Sequence, residues 1–166
     1  MASPVRSQHS FANVPTISRP RSVFDRSHGH KTTFDAGFLV PVLVDEVLPG
    51  DTVNLRMTAF ARLATPLHPF MDNMYLCSFF FAVPLRLIWD NFQKFMGEQD
   101  NPGDSIDFAT PKMTAPGGGY SVGDLQDYFG LPTGIGGYVH NNLYGRAYNL
   151  IWNEWFRDQK DRKSVV

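Results

Sequence analysis

From Met74 to Val83 the chain is apolar on both alternating faces. Met74, Leu76, Phe80 and Ala82 lie on one side; Tyr75, Cys77, Phe79, Phe81 and Val83 lie on the other. Such a run predicts a strand covered on both faces, as in the middle of a sandwich or layered core. A buried helix is the rival reading, but the aromatic enrichment and Pro84 at the end favour extended chain. Pro84 then falls where a helix accepts proline, in its first turn. Leu85, Ile88, Phe92 and Phe95 follow at helical spacing, and Trp89 and Met96 broaden the stripe. Arg86–Asp90 and Asp90–Lys94 are i,i+4 pairs on the opposite side, and Gly97 is placed as a C′ stop. The pattern predicts one helix over 84–97.

Upstream, Phe38–Val47 is strand-like, with Pro41 pushing it toward a sheet edge or a bulge. Leu48-Pro49-Gly50-Asp51 suits a type II turn. Thr52–Leu63 alternates. Val53, Leu55, Met57, Ala59, Ala61 and Leu63 share one face, and only Phe60 breaks the rule. Downstream, Glu98–Tyr120 and Gly130–Gly137 read as loops, with glycine clusters at Gly117–Gly119 and Gly134–Gly137. Ser121 and Asp124 resemble a capping box for a short helix ending near Phe129. Leu143–Asp158 is the last helix. Tyr144, Tyr148, Ile151 and Trp155 form its stripe, widened by Leu150, Trp152 and Phe156. Three strands, one of them apolar on both faces, cannot close a β-core alone. Either the chain is a fragment or it assembles with other chains.

Composition adds less than distribution. Aromatic residues make up 14% of the 166 residues, including 14 Phe, which excludes disorder for most of the length. The net charge is −1, but Met1–Lys31 carries Arg6, Arg19, Arg21, Arg26 and Lys31 against Asp25 alone. That arm is therefore +4 within a chain of −1, which leaves −5 for the remainder. With only scattered apolar residues, Met1–His30 reads as an extended arm rather than a packed element. Cys77 is the only cysteine and falls in the most buried-looking stretch, so no disulfide framework is possible within one chain. No apolar run reaches the ~18 residues of a membrane span, and no signal-peptide core opens the chain. These features suit a soluble intracellular product with no membrane partner.

Candidate chemistry is sparse. His28, His30 and His68 could offer imidazole nitrogens, but no acidic or cysteine ligand is spaced to complete a metal site, so scattered histidines in an arm are the preferred reading. The glycine clusters match neither phosphate-binding pattern. Asp45 and Glu46 alternate across a strand and form no acid/base pair. A buried Cys77 thiol would stay protonated and unreactive. The residues call for no catalytic group, metal or cofactor. The arm is different. Separated cations in an extended, aromatic-containing segment suit phosphate neutralisation and base stacking, which makes Arg6, Arg19, Arg21, Arg26 and Lys31 candidate nucleic-acid contacts; a solvated tail with no partner is the equal rival reading.

Several long blocks are idiosyncratic. They are Val44-Asp45-Glu46-Val47-Leu48-Pro49-Gly50-Asp51, Thr58–Pro66, Met71–Leu76, Phe79-Phe80-Phe81, Trp89–Glu98 and Arg146–Asp158. In this order they resemble the major capsid protein of gokushovirus-type microviruses (Microviridae), across roughly residues 10–159. The resemblance implies a mainly β subunit with helical insertions (α+β), the N-terminal part of a viral jelly roll that is incomplete in this chain. Residues 1–31 would be the basic arm. Residues 32–159 would hold the first jelly-roll strands (Phe38–Val47, Thr52–Leu63 and Asn73–Val83) and insertion helices at 84–97, 121–129 and 143–158. The family forms small (T=1) icosahedral bacteriophage shells around circular single-stranded DNA. Implied partners are therefore copies of the same chain, the packaged DNA and a small basic DNA-associated viral protein. The implied location is the virion, assembled in the host bacterial cytoplasm. Family members run far past this length, so most of the roll and the host-facing surface should be missing. The resemblance names no catalytic residue. The rival reading is a stand-alone single-stranded nucleic-acid-binding module on a β-fold; that would need basic and aromatic residues on a sheet surface, and a metal-dependent enzyme is more distant still.

The resemblance stops at Lys160, so residues 160–166 read as a non-family tail. Asp161–Val166 can be back-translated as GAT CGG AAG AGC GTC GTG, which looks like a sequencing adapter read as protein. A short natural tail would have a similar composition. Codons matching the adapter are expected in the nucleotide sequence; different codons, or a stop within contiguous viral genome, would contradict the artefact.

Overall fold

The computed structural model describes residues 18–105 and 107–161. It divides into two units, Met1–Thr32 and Thr33–Val166. In the first, the described residues from 18 onward form no helix or strand, and 18–31 are exposed. Short-range bonds shape this segment: the Ser27 N–H and hydroxyl both donate to Asp25 Oδ1, at 2.9 and 2.6 Å.

In the second unit, regular structure gathers toward the C-terminal half. Helix α3, Leu143–Ile151, runs directly into a π turn at Trp152–Phe156. The Arg157 N–H closes that turn on the Trp152 carbonyl at 2.8 Å, the five-residue reach that defines it. Arg157 also terminates it. Its Nε–H donates to the Asn153 carbonyl at 3.4 Å, while Nη1 donates to the carbonyls of Asp158 at 2.8 Å and Asp161. At the other end of α3, the Leu143 N–H donates to Asn141 Oδ1 at 2.9 Å and the Asn142 N–H to the Pro111 carbonyl at 3.1 Å. The start of α3 is thereby tied to the only ladder among the described residues. In that ladder β1 (Lys112–Thr114) pairs antiparallel with β2 (Val139–Asn141), Met113 opposite His140.

The polypeptide between these strands folds back on itself through its glycines. Gly119 lies against the backbone of Gly134 and Ile135: a Cβ placed there would sit 2.7 Å from the Gly134 carbonyl carbon. Gly136 is as tight, its notional Cβ meeting the Gly117 carbonyl oxygen and lying 2.6 Å from that of Pro116. The two glycine clusters, expected to be flexible connections, are therefore one close backbone crossing, and they draw β1 and β2 together. Short α2, Leu125–Tyr128, sits inside this excursion. Its expected capping residues are half confirmed: the Asp124 carboxylate accepts the Ser121 N–H at 2.8 Å.

The expected helix over 84–97 divides into a 3₁₀ turn, Leu85–Leu87, and a single α turn, α1, Phe92–Phe95. Asp90-Asn91, poor helix-interior residues whose side chains compete for backbone groups, lie at the break. The break lets Trp89, nearly buried, contact both Phe92 (5.9 Å between ring centroids) and Phe95 (5.1 Å). The ends follow the sequence: Pro84 caps the first turn, and Gly97 adopts φ 98° beyond α1. The turn at Leu48–Asp51 also forms, with Gly50 at φ 88° and the Asp51 N–H donating to the Leu48 carbonyl at 3.1 Å.

The three expected strands do not form ladders. Phe38–Val47, Thr52–Leu63 and 74–83 carry neither helix nor β-pairing. Burial fails with pairing, since residues 74–82 are all exposed, Cys77 among them. The predicted two-face cover for this run, and the burial invoked to keep the thiol inert, are corrected accordingly. The physical reason is that alternation specifies which face seeks cover but supplies no neighbouring strand, and no described residue provides one. The buried apolar residues are instead Ile88, Trp89, Ala115 and Tyr120.

Adding a methyl group at the crossing should force it apart. Gly136→Ala is expected to destabilise the β1–β2 excursion by about 2 kcal/mol, whereas Gly118→Ala, which meets open space, should change little. Amide exchange at Ala115, whose N–H bonds the Tyr138 carbonyl, checks the difference; equal protection in both variants would contradict the close approach.

Candidate interaction surface

Helix α3 organises the second unit through side chains that reach out of it. Tyr148 donates its hydroxyl to the Leu39 carbonyl, and Tyr144, one turn earlier, donates to Glu46 Oε1, both at 2.8 Å. Arg146, between them, donates from Nη1 to the Ile88 carbonyl at 2.8 Å and so anchors the segment holding Trp89. From α2, Tyr128 donates to the Thr33 carbonyl at 3.0 Å. Burial holds the Tyr148 phenol above its ordinary pKa; burial, followed by the Glu46 hydrogen bond and the charges of Glu46 and Asp45, does the same for Tyr144. Both therefore remain donors through neutral pH.

Where α3 gives way to the π turn, aromatic rings collect. Phe79 and Phe81 stack at 6.5 Å, on the shared face that alternation assigned them. Phe156 meets both edge-on, at 5.4 and 6.1 Å, and Trp155 tilts against Phe81 at 5.8 Å. Beside them opens a groove of about 330 Å³ between Phe81–Pro84 and Leu87 on one side and Leu150, Ile151 and Trp155 on the other, with Glu154 its one charged lining residue. Trp155 is 71% exposed and Phe60 93%. Val53, Leu55, Met57, Leu63, Met74, Leu76 and Phe80 are likewise open to solvent. Together these side chains form an extensive exposed apolar surface.

Of the candidate nucleic-acid contacts, Arg19, Arg21, Arg26 and Lys31 are exposed, and Arg6 lies outside the described residues. His28 is occupied locally, its Nδ1 at 3.0 Å from the Arg26 carbonyl. Among the described residues no three His, Cys, Asp or Glu side chains converge on a common point, and no helix is long and apolar enough to cross a membrane. The tyrosine donors of α2 and α3 went unseen in the sequence. Tyr144 and Tyr148, four residues apart, read in the sequence as part of an apolar stripe; the polar tip that tyrosine keeps when its ring is covered is the available signal.

The comparison with known families is specific. Residues 12–166 match the family described as capsid protein (F protein). The chain belongs to this capsid family. Capsid protein VP1 of Bdellovibrio phage phiMH2K is 52% identical over 152 residues, covering 92% of this chain and 28% of the phage protein. Capsid protein VP1 of Chlamydia phage 1 is 48% identical over 164 residues (95% and 28%), and that of Spiroplasma virus 4 is 34% identical over 152 residues (91% and 28%). The chain thus spans little more than a quarter of these relatives. The family match extends to Val166, through the stub expected to lie outside it; residues 162–166 fall outside the described residues.

Proposed function

We propose that this chain is a structural element of a capsid subunit, the N-terminal part of a jelly-roll protein from a small T=1 icosahedral shell enclosing single-stranded DNA. Membership of the capsid family carries the reading, and the exposed apolar run from Val53 to Phe81 supports it, since a strand set lacking its facing strands is what part of such a roll would present. In this reading the chain's partners are other capsid polypeptide, packaged DNA and a small basic DNA-associated viral protein. Its location is the virion, assembled in the bacterial cytoplasm. Its role is architectural, and no residue is assigned catalysis. The stand-alone nucleic-acid module has weaker support, because Lys112 is the only cationic residue on either ladder strand.

The arm faces the DNA in this proposal, with Arg6, Arg19, Arg21, Arg26 and Lys31 neutralising phosphates. Single-strand affinity of a peptide of residues 1–31 should then fall with log salt at a slope of about −3.5, given ~0.7 per phosphate contact, and show little base preference. Binding that ignores salt, or fails at low salt, would remove the arm from the DNA face without touching the capsid assignment.

A further inference from the structure

Thr33–Leu48 crosses the helices with no ladder of its own, and three tyrosine hydroxyls donate into it. Two of the acceptors, at Thr33 and Leu39, are backbone carbonyls. Every residue carries one, so these two bonds would form just as well if the segment slid along the helix. The third acceptor is the side chain of Glu46, and it is specific to position. We infer that the Tyr144–Glu46 hydrogen bond fixes the register of this strap on helix α3.

The neighbouring residues show why. A slip of one residue would bring Tyr144 either to apolar Val47 or to Asp45, whose carboxylate is one methylene shorter and already accepts the Glu46 N–H at 2.8 Å. A slip of two residues brings Val44 or Leu48 to Tyr144, neither with a side-chain acceptor. Among residues 44–48, Glu46 carries the longest side-chain acceptor. Beyond it the strap is closed locally. The Leu48 N–H donates to Asp51 Oδ2 and the Asp51 N–H to the Leu48 carbonyl, both at 3.1 Å, so the turn travels with the strap rather than pinning it to α3. The titratable groups facing Tyr144 from the strap are Glu46 and Asp45, and the register bond needs only an acceptor oxygen at position 46. Glu46 is in this sense a positioning residue for the strap.

Nitroxide distance measurements by electron paramagnetic resonance test this on the full chain, kept soluble as a fusion to a carrier protein, with Cys77→Ser and labels at Leu43→Cys in the strap and Ala147→Cys in α3. The parent should give a single distance peak, and Glu46→Ala and Tyr144→Phe should each broaden it or add a second peak, since each residue of slip moves extended chain by ~3.3 Å. The double variant should match either single one, since both remove the same bond. Glu46→Gln, which keeps an acceptor oxygen, should retain the parent's peak. An unchanged peak in Glu46→Ala, a further change in the double variant, or a Glu46→Gln peak like that of Glu46→Ala would each overturn the assignment.

Discussion

Every peptide N–H and C=O in residues 38–83 must find a partner or face water, and a strand finds its partners only in a neighbouring strand. No described residue plays that part for these segments. Leu39 and Glu46 are instead bonded from helix α3, by the Tyr148 hydroxyl on a backbone carbonyl and the Tyr144 hydroxyl on a carboxylate, and Phe79 and Phe81 meet the aromatic rings at its π turn. The constraint shapes the rest of the second unit. Polar contacts fix where the segments run, yet they cannot cover apolar side chains, so Leu55, Phe60, Leu76 and Phe80 remain in water. The hydrophobic effect then favours further association, because roughly 25 cal/mol is gained for each Å² of apolar surface removed from solvent.

The sequence was most legible where one or two residues decide the local backbone. Gly97 after a last turn and Pro49-Gly50 in a tight turn need no distant partner, and the structure places both as expected, while Pro84, expected inside a first turn, stands one residue earlier as its extended cap. Helix α3 was legible through its 3.6-residue stripe, though its π ending was not. Alternation at 53–63 and 74–83 says which residues share a face but cannot name the neighbour, so the strands expected from it stand unladdered and exposed. It still paired Phe79 with Phe81. The β1–β2 ladder left no trace because each strand is three residues long and depends on two glycine clusters meeting across the chain. Of the candidate site, the arm's charge could be counted directly. The tyrosine contacts depended on which backbone carbonyls α2 and α3 would meet, and no periodicity encodes that.

Capsid family membership gives these observations a common setting. On the proposed reading, a helix that holds extended chain by single hydrogen bonds, beside exposed apolar residues, belongs to a subunit completed by further capsid polypeptide. Among the described residues a groove of about 330 Å³ is lined mainly by apolar side chains, as the seam of such a surface would be.

The exposed apolar residues from Val53 to Trp155 should drive the chain to associate. Sedimentation of the purified full chain over a range of concentrations, followed by calorimetry on the same samples, tests it most directly. Concentration-dependent association with a broad, weakly cooperative transition is the predicted result. A monodisperse monomer that melts sharply and cooperatively would contradict it.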